Sequence, residues 1–357
     1  MPTFACEQDT APVAKKGRQI RWYRTPIEKD LLRELSTRSD LKGAVQTLGY
    51  LGIYALTASL AVWSFVHWTW WVTAGVTFVH GMVTAFMING VHELGHGTVF
   101  RTKWLNAFFC GVLSFLGWIN HRIFQASHSR HPAYTLHPPD DLEVVLPIKL
   151  AVRHFWESGF LNYKGLWYSI KDTVRIARGQ MRGPWELTLF PEGDLEKRRP
   201  SMNWARLVMA GHVAVVVVSA VLGWWVWRGF WWVPVVVTLA PFYGGWLFFL
   251  CNNTQHVGLA DNVPDFRLCC RTFTLNPVVR VLYWQMNFHT EHHMYPTVPC
   301  YHLARLHEAV REDLPPCADG LLAVWREIGP IMERQKDDPK YQYVAIIPVR
   351  PAPTGGF

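Results

Sequence analysis

Three imidazoles fall close together at His289, His292 and His293, directly after the apolar stretch 282–284. Spacing of i, i+3 and i+4 predicts that they share one face of a helix. Neutral imidazole binds Fe, Zn, Cu or Ni, so such a face is a natural metal cradle, although a solvated polar patch would have the same spacing. What decides between them is whether other histidines complete the site. His92 and His96 stand at i, i+4, His128 and His131 at i, i+3, and His256 follows Asn252 at i, i+4. These eight rings, out of 16 histidines in the chain, exceed the needs of one four-coordinate ion and match two ions with four to five nitrogens each. Zinc has no redox chemistry, so a dinuclear all-nitrogen site points more naturally to iron. His137, in the turn-rich stretch 134–141, is a further possible ligand. His67, His80 and His212 lie in or beside apolar runs, where a hydrogen-bonded packing role is simpler. His121, His154, His302 and His307 are isolated.

The elements that must position these rings follow from composition. Half of the 357 residues are hydrophobic, 17% are charged, and Trp reaches 19. Apolar runs near 44–66, 70–91, 207–227 and 230–251, the last bent at Pro234 or Pro241, are each about 20 residues long, roughly 30 Å as helix. Four such runs are hard to bury as core helices in a soluble chain of this size. The expected fold is therefore all-α and integral to a membrane: four transmembrane helices in two hairpins, with a cytoplasmic helical cap holding a histidine-rich dimetal site. Three regions are expected: an N-terminal arm over 1–42, a membrane catalytic domain over 43–310, and a C-terminal tail over 311–357.

Charge sets the orientation. Residues 1–42 carry nine Lys/Arg, among them Lys15, Lys16, Arg18, Arg21 and Arg24, which places the N-terminus in the cytoplasm. The turns near 66–70 and 225–232 are ringed by Trp and carry Arg228 as their one charge, as expected of aromatic belts on the far side. No further span follows, so both termini are expected in the cytoplasm. The membrane would be the endoplasmic reticulum in a eukaryote or the inner membrane in a bacterium. The polar first forty residues give no cleavable signal peptide. The net charge of +8 is accounted for by this asymmetry and does not call for nucleic acid. Seven cysteines without a CxxC pair suggest a reducing compartment and no structural zinc. The apolar stretch 105–118 is too short to cross and reads as re-entrant or interfacial. Residues 28–35 read as a short amphipathic helix or a disordered arm. Stretch 142–199 mixes aromatics with bases, the pattern of helices lying among lipid headgroups or of a soluble cap.

HELGH (92–96), HSRHP (128–132) and HTEHH (289–293), the last followed by MYPTVPCYHL, together resemble the three histidine boxes of the membrane fatty acid desaturase superfamily. The resemblance spans roughly 45–310. It implies that the box histidines hold two Fe2+ ions. It also implies that O2, with two electrons from cytochrome b5 or from ferredoxin and its reductase, drives desaturation, hydroxylation, ketolation or acetylenic-bond formation on a hydrophobic acyl or lipid-like substrate. Carried over by motif position, iron-ligand roles fall on His92, His96, His128, His131, His256, His289, His292 and His293, with a water-mediated role for Asn252. One departure stands out: the second box should end His-His, yet position 132 is proline, which cannot ligate and biases His131 away from helical conformation. His137 or a water would fill that place, or the site is altered.

Glu93 is expected to hydrogen-bond a ligand imidazole, and Asp140 and Asp141 to do likewise or to cap a helix. The chain lacks the His-Pro-Gly-Gly signature of cytochrome b5, so its electron donor should be a separate protein. Arg175, Arg178, Arg182 and the bases at 197–199 could dock an acidic partner or anionic membrane lipid. HELGH also fits the zinc-protease pattern H-E-x-x-H with Glu93 as general base. That assignment leaves at least five clustered histidines without a role and lacks a downstream Asp-Gly within a span. A metal transporter would need ionisable residues lining the spans. Desaturation of an acyl chain is the expected reaction, with hydroxylation as the alternative.

Overall fold

The computed structural model describes residues 19–146, 148 and 150–348. Cys6, Lys15, Lys16 and Arg18 lie outside these. After the short helix α1 (Lys29–Leu35), the Ser39 hydroxyl accepts from the backbone N–H of Lys42 and so starts α2 (Asp40–His67). The chain turns at Trp68 and returns through α3 (Trp70–Ala85). A break at Phe86 leads straight into α4 (Met87–Gly95). Helices α2 and α3 form the first expected hairpin. Polar groups at the centre of this pair find partners inside the protein, as a low-dielectric surrounding favours. His80 bonds Thr57 and the Val236 carbonyl, and Tyr54 donates to that same carbonyl.

Next come α5 (Lys103–Leu116), α6 (His121–His128) and α7 (His131–Tyr134). The chain bends by 114° between α5 and the α6–α7 pair, consistent with a short segment that turns back. Helices α8 (Val152–Gly159), α9 (Tyr163–Ala177) and α10 (Gly183–Leu189) follow, with Trp156, Tyr163, Trp167 and Tyr168 exposed. The third long apolar helix is α11 (Leu195–Trp225); Pro200 sits in its first turns. Outward residues of α2 and α11, such as Leu56, Val217 and Trp224, are exposed and apolar, a surface suited to lipid.

The expected fourth span, 230–251, does not form one helix. It breaks into a 3-10 turn (Arg228–Trp232), α12 (Val233–Val237), a second 3-10 turn (Ala240–Phe242) and α13 (Trp246–Asn252). Pro234 and Pro241 supply no backbone donor. Gly244 adopts φ +69°, where a Cβ would strike the Phe78 carbonyl, so the chain must turn there. Three helical stretches among the described residues are thus long and apolar enough to cross a membrane: 40–67, 70–95 and 195–225. The count is four if the bent α5–α7 pair is taken as one span.

The remaining helices are α14 (Phe266–Cys269), α15 (Pro277–Leu282), α16 (His289–Met294), α17 (Leu303–Val310) and α18 (Leu321–Asp337). The described residues form no strand, only isolated bridges. One core joins Phe86, Val91 and Leu94 to Trp284, Phe288 and Met294, and takes in Val324 and Ile328 of α18. The stretch expected as a separate tail therefore packs, through α18, into the body that carries the histidines.

Candidate metal centre

Eight imidazoles converge as two groups of four: His92, His96, His128 and His292, and His131, His256, His289 and His293. Within each group one nitrogen of every ring lies within 4.8 Å of the others. Helix α4 supplies His92, and His96 is its C-cap one turn later. Helix α16 does not aim its three rings one way, as its spacing suggested. His292 joins the first group, while His289 and His293, with Nε2 atoms 3.1 Å apart, face the second. A single turn of helix thus serves both groups.

The second box is divided too, since α6 ends at His128 and α7 begins at His131. The expectation that Pro132 pulls His131 out of helix is corrected: Pro132 sits in the first turn of α7, where a missing N–H costs nothing because those donors have no helical partner anyway. His256 does not share a helical face with Asn252. Helix α13 ends at Asn252, and His256 lies beyond it in a turn. His137 stands outside both groups. Its Nδ1–H donates to the Thr135 carbonyl at 2.8 Å and its ring meets Trp22 edge-on.

The outward nitrogens of five of the rings are held by acceptors. His92 Nδ1 lies 2.9 Å from Glu93 Oε1, which is also 3.5 Å from His292 Nδ1. His128 Nδ1 meets Glu143 at 2.6 Å and His131 Nδ1 meets Asp141 at 3.0 Å. His256 Nδ1–H donates to the Cys269 carbonyl at 2.7 Å, and His293 Nδ1 contacts the Thr135 hydroxyl at 3.0 Å. Tying Nδ1 in this way fixes the ring plane and leaves Nε2 as the inward lone pair. The Nε2 atoms of His96 and His128 are then 3.0 Å apart, as are those of His256 and His289. That is about the separation of two nitrogens bound side by side to one ion at roughly 2.1 Å.

Both ring nitrogens of His292, and Nδ1 of His289, are buried with no hydrogen-bond partner among the described residues. Buried polar atoms without partners are uncommon; an ion in the first group would satisfy one nitrogen of His292, whereas Nδ1 of His289 faces away from its own group. Burial pushes His96 down to about 3 and His256 down to about 4. It also holds His289, His292 and His293 well below the usual histidine range, reinforced by neighbouring imidazoles. These five rings are therefore neutral near pH 7, the form that ligates. Burial alone would raise Glu143, but the imidazoles of His128 and His131 outweigh it and hold it down to about 2.

Reasoning from sequence missed Glu143, Thr135 and the Cys269 carbonyl. Glu143 follows the second box at a distance set by a loop, and a carbonyl leaves no trace in side-chain pattern. It also treated His307 as isolated, whereas His307 bonds the fully buried Glu291 of α16, which accepts from Thr272 as well. Glu93 is wholly buried and turned towards His92 and His292, which does not suit the general base of a zinc protease. The proposed docking bases are partly consumed. Arg175 is buried against Asp172 and Glu186, and Arg198 is spent on the carbonyls of Phe190 and Gly179.

A family model, fatty acid desaturase, matches residues 68–321, well over half of the chain. The chain belongs to the fatty acid desaturase family. It is an oxidoreductase of the desaturase/hydroxylase type, acting on hydrophobic, lipid-like substrates and carrying a histidine-rich site. No curated protein matches the chain at a significant level.

Proposed function

We propose that this chain is an O2-dependent desaturase that places a double bond in an acyl chain or a related lipid-like substrate, using two Fe2+ ions held by the two imidazole groups. The observation that carries the proposal is the pair of four-nitrogen groups sharing α16. The donor set fits iron: eight imidazoles, no thiolate, and the carboxylates Glu93, Asp141 and Glu143 beside the rings to offset the charge of two divalent ions. Bound there, a pair of irons supplies the two-electron oxidation of an unactivated C–H bond.

The balanced reaction consumes a CH2–CH2 unit, O2, two electrons and two protons, and gives CH=CH and two waters. The residues contribute orientation. Glu93, Asp141 and Glu143 hold ring planes, Glu291 anchors α16 through His307 and Thr272, and the apolar core around Trp284 and Phe288 limits water near the rings. Asn252, half-buried at the end of α13, would reach an ion only through a water. The electrons come from a separate cytochrome b5 or ferredoxin. The chain is multi-pass, with both termini in the cytoplasm.

The test is metal content by mass spectrometry on detergent-purified protein, joined to lipid analysis of expressing cells. Two irons per chain and a new unsaturated lipid are expected. A hydroxylated product would move the assignment to hydroxylation, and one zinc without iron would overturn it.

A further inference from the structure

His256 is the ring least supported by its own segment, because it lies in a turn after α13 has ended. The structure nevertheless holds that turn tightly, and the residue that does so is Arg271. Its guanidinium is buried and forks onto the backbone on both sides of His256. Nη1 donates to the Thr254 carbonyl at 2.5 Å and to the Val257 carbonyl at 3.3 Å, and Nη2 also reaches Val257 at 3.3 Å. The Arg271 backbone N–H donates to the Gln255 carbonyl at 3.0 Å. Two residues earlier the Cys269 carbonyl accepts from His256 Nδ1–H, so segment 269–271 grips both the ring and the turn that carries it. From the other side Gly258, at φ +71°, is pressed against Ile331 of α18, and its carbonyl accepts from the Tyr343 N–H at 2.7 Å.

Among the described residues Arg271 forms no direct ion pair with a carboxylate; the Glu327 charge acts on it only at longer range. A buried cation without such a partner is costly, and close to a site for cations its charge is unhelpful. What the guanidinium offers is geometry: a planar fork with five donors can bridge two carbonyls at fixed spacing, which a lysine ammonium on a flexible stem does poorly. We propose that Arg271 is a positioning residue that sets His256 against His289 and so completes the second imidazole group, while the first group does not depend on it. The inference rests on the metal-binding reading above.

The experiment uses the full chain in detergent, stripped of metal and titrated anaerobically with Fe2+ and, separately, with Co2+, whose absorption reports coordination. Bound metal is counted by mass spectrometry. Arg271→Gln is expected to weaken one of two sites roughly ten- to hundredfold, the usual cost of losing an outer support, and to leave the other unchanged. Added to His256→Ala it should cost nothing further, whereas added to His96→Ala it should weaken binding of the metal that remains by the same factor. Loss of metal from both groups, or further loss in the His256→Ala background, would mean general destabilisation and overturn the proposal. If Arg271→Gln does not fold, Arg271→Lys decides: it keeps charge and stem but not the fork, and unaltered two-site binding would overturn the proposal. A wild-type chain that binds no metal would remove the functional reading as well, whereas two metals in wild type and in both variants would remove only the role of Arg271.

Discussion

The two imidazole groups have the same number of rings and different surroundings. In the first, His92 and His96 come from one end of α4, and the outward nitrogens of His92 and His128 face the carboxylates of Glu93 and Glu143. In the second, His256 comes from a turn, and the outward nitrogens meet one carboxylate, Asp141, one carbonyl, Cys269, and one hydroxyl, Thr135. An imidazole whose N–H faces a carboxylate is a stronger donor than one facing a neutral oxygen. With two such contacts against one, the first group should bind a divalent ion more tightly, while the second depends more on backbone geometry.

The largest effect that tests this comparison is loss of a ring. His292→Ala should abolish turnover and reduce bound metal from two ions to about one, since it empties only the first group of a ligand. A fully active His96→Ala/His292→Ala protein with both metals would sink the dimetal assignment altogether. Next in size are the carboxylates. Glu143→Gln should weaken metal binding by the first group, and Asp141→Asn by the second, each by roughly ten- to hundredfold. Equal weakening of both groups by either change, read from stepwise metal titration, would break the comparison.

Acid gives a smaller, graded effect. In the metal-free protein His96 is held down to about 3 and His256 down to about 4 by burial, against about 6.5 in an unfolded chain. Between those values the unfolded chain binds more protons than the folded one, so stability falls as pH drops from about 6.5 towards 4 and is unaffected by these groups above about 7. The melting temperature of the stripped protein should follow that slope; a flat profile across pH 4 to 6.5 would contradict the neutral, buried state of the rings. The smallest effect is expected from Pro132→His, which restores the usual second box. Each group already has four rings without that position, so the metal count should stay at two. A gain or loss of an ion on that change would show that residue 132 reaches the site.

Much of this could be read before any coordinates. The histidine boxes, the hairpin of α2 and α3, the short segment that turns back at α5 and the role of Glu93 as a neighbour of imidazole are local features, carried by residue type, spacing and length of apolar run. The fourth span was expected to bend at Pro234 or Pro241; the structure breaks it at both and again at Gly244, a backbone requirement that hydropathy does not register. Charge in a sequence does not tell which arginine is spent: of the bases named for docking, Arg175 is buried against two carboxylates contributed by α9 and α10.

Sequence by itself determined which eight rings this protein has to offer, because imidazole chemistry and helical spacing are properties of the chain. Only the tertiary structure decided how they are shared. His128 parts from His131 because one helix ends and another begins between them, and His292 parts from His289 and His293 because α16 stands between the groups and presents different sides to each. Partition of the rings is a matter of where remote segments meet, and a turn such as the one bearing His256 acquires its place only from the guanidinium, carbonyl and helix that close around it.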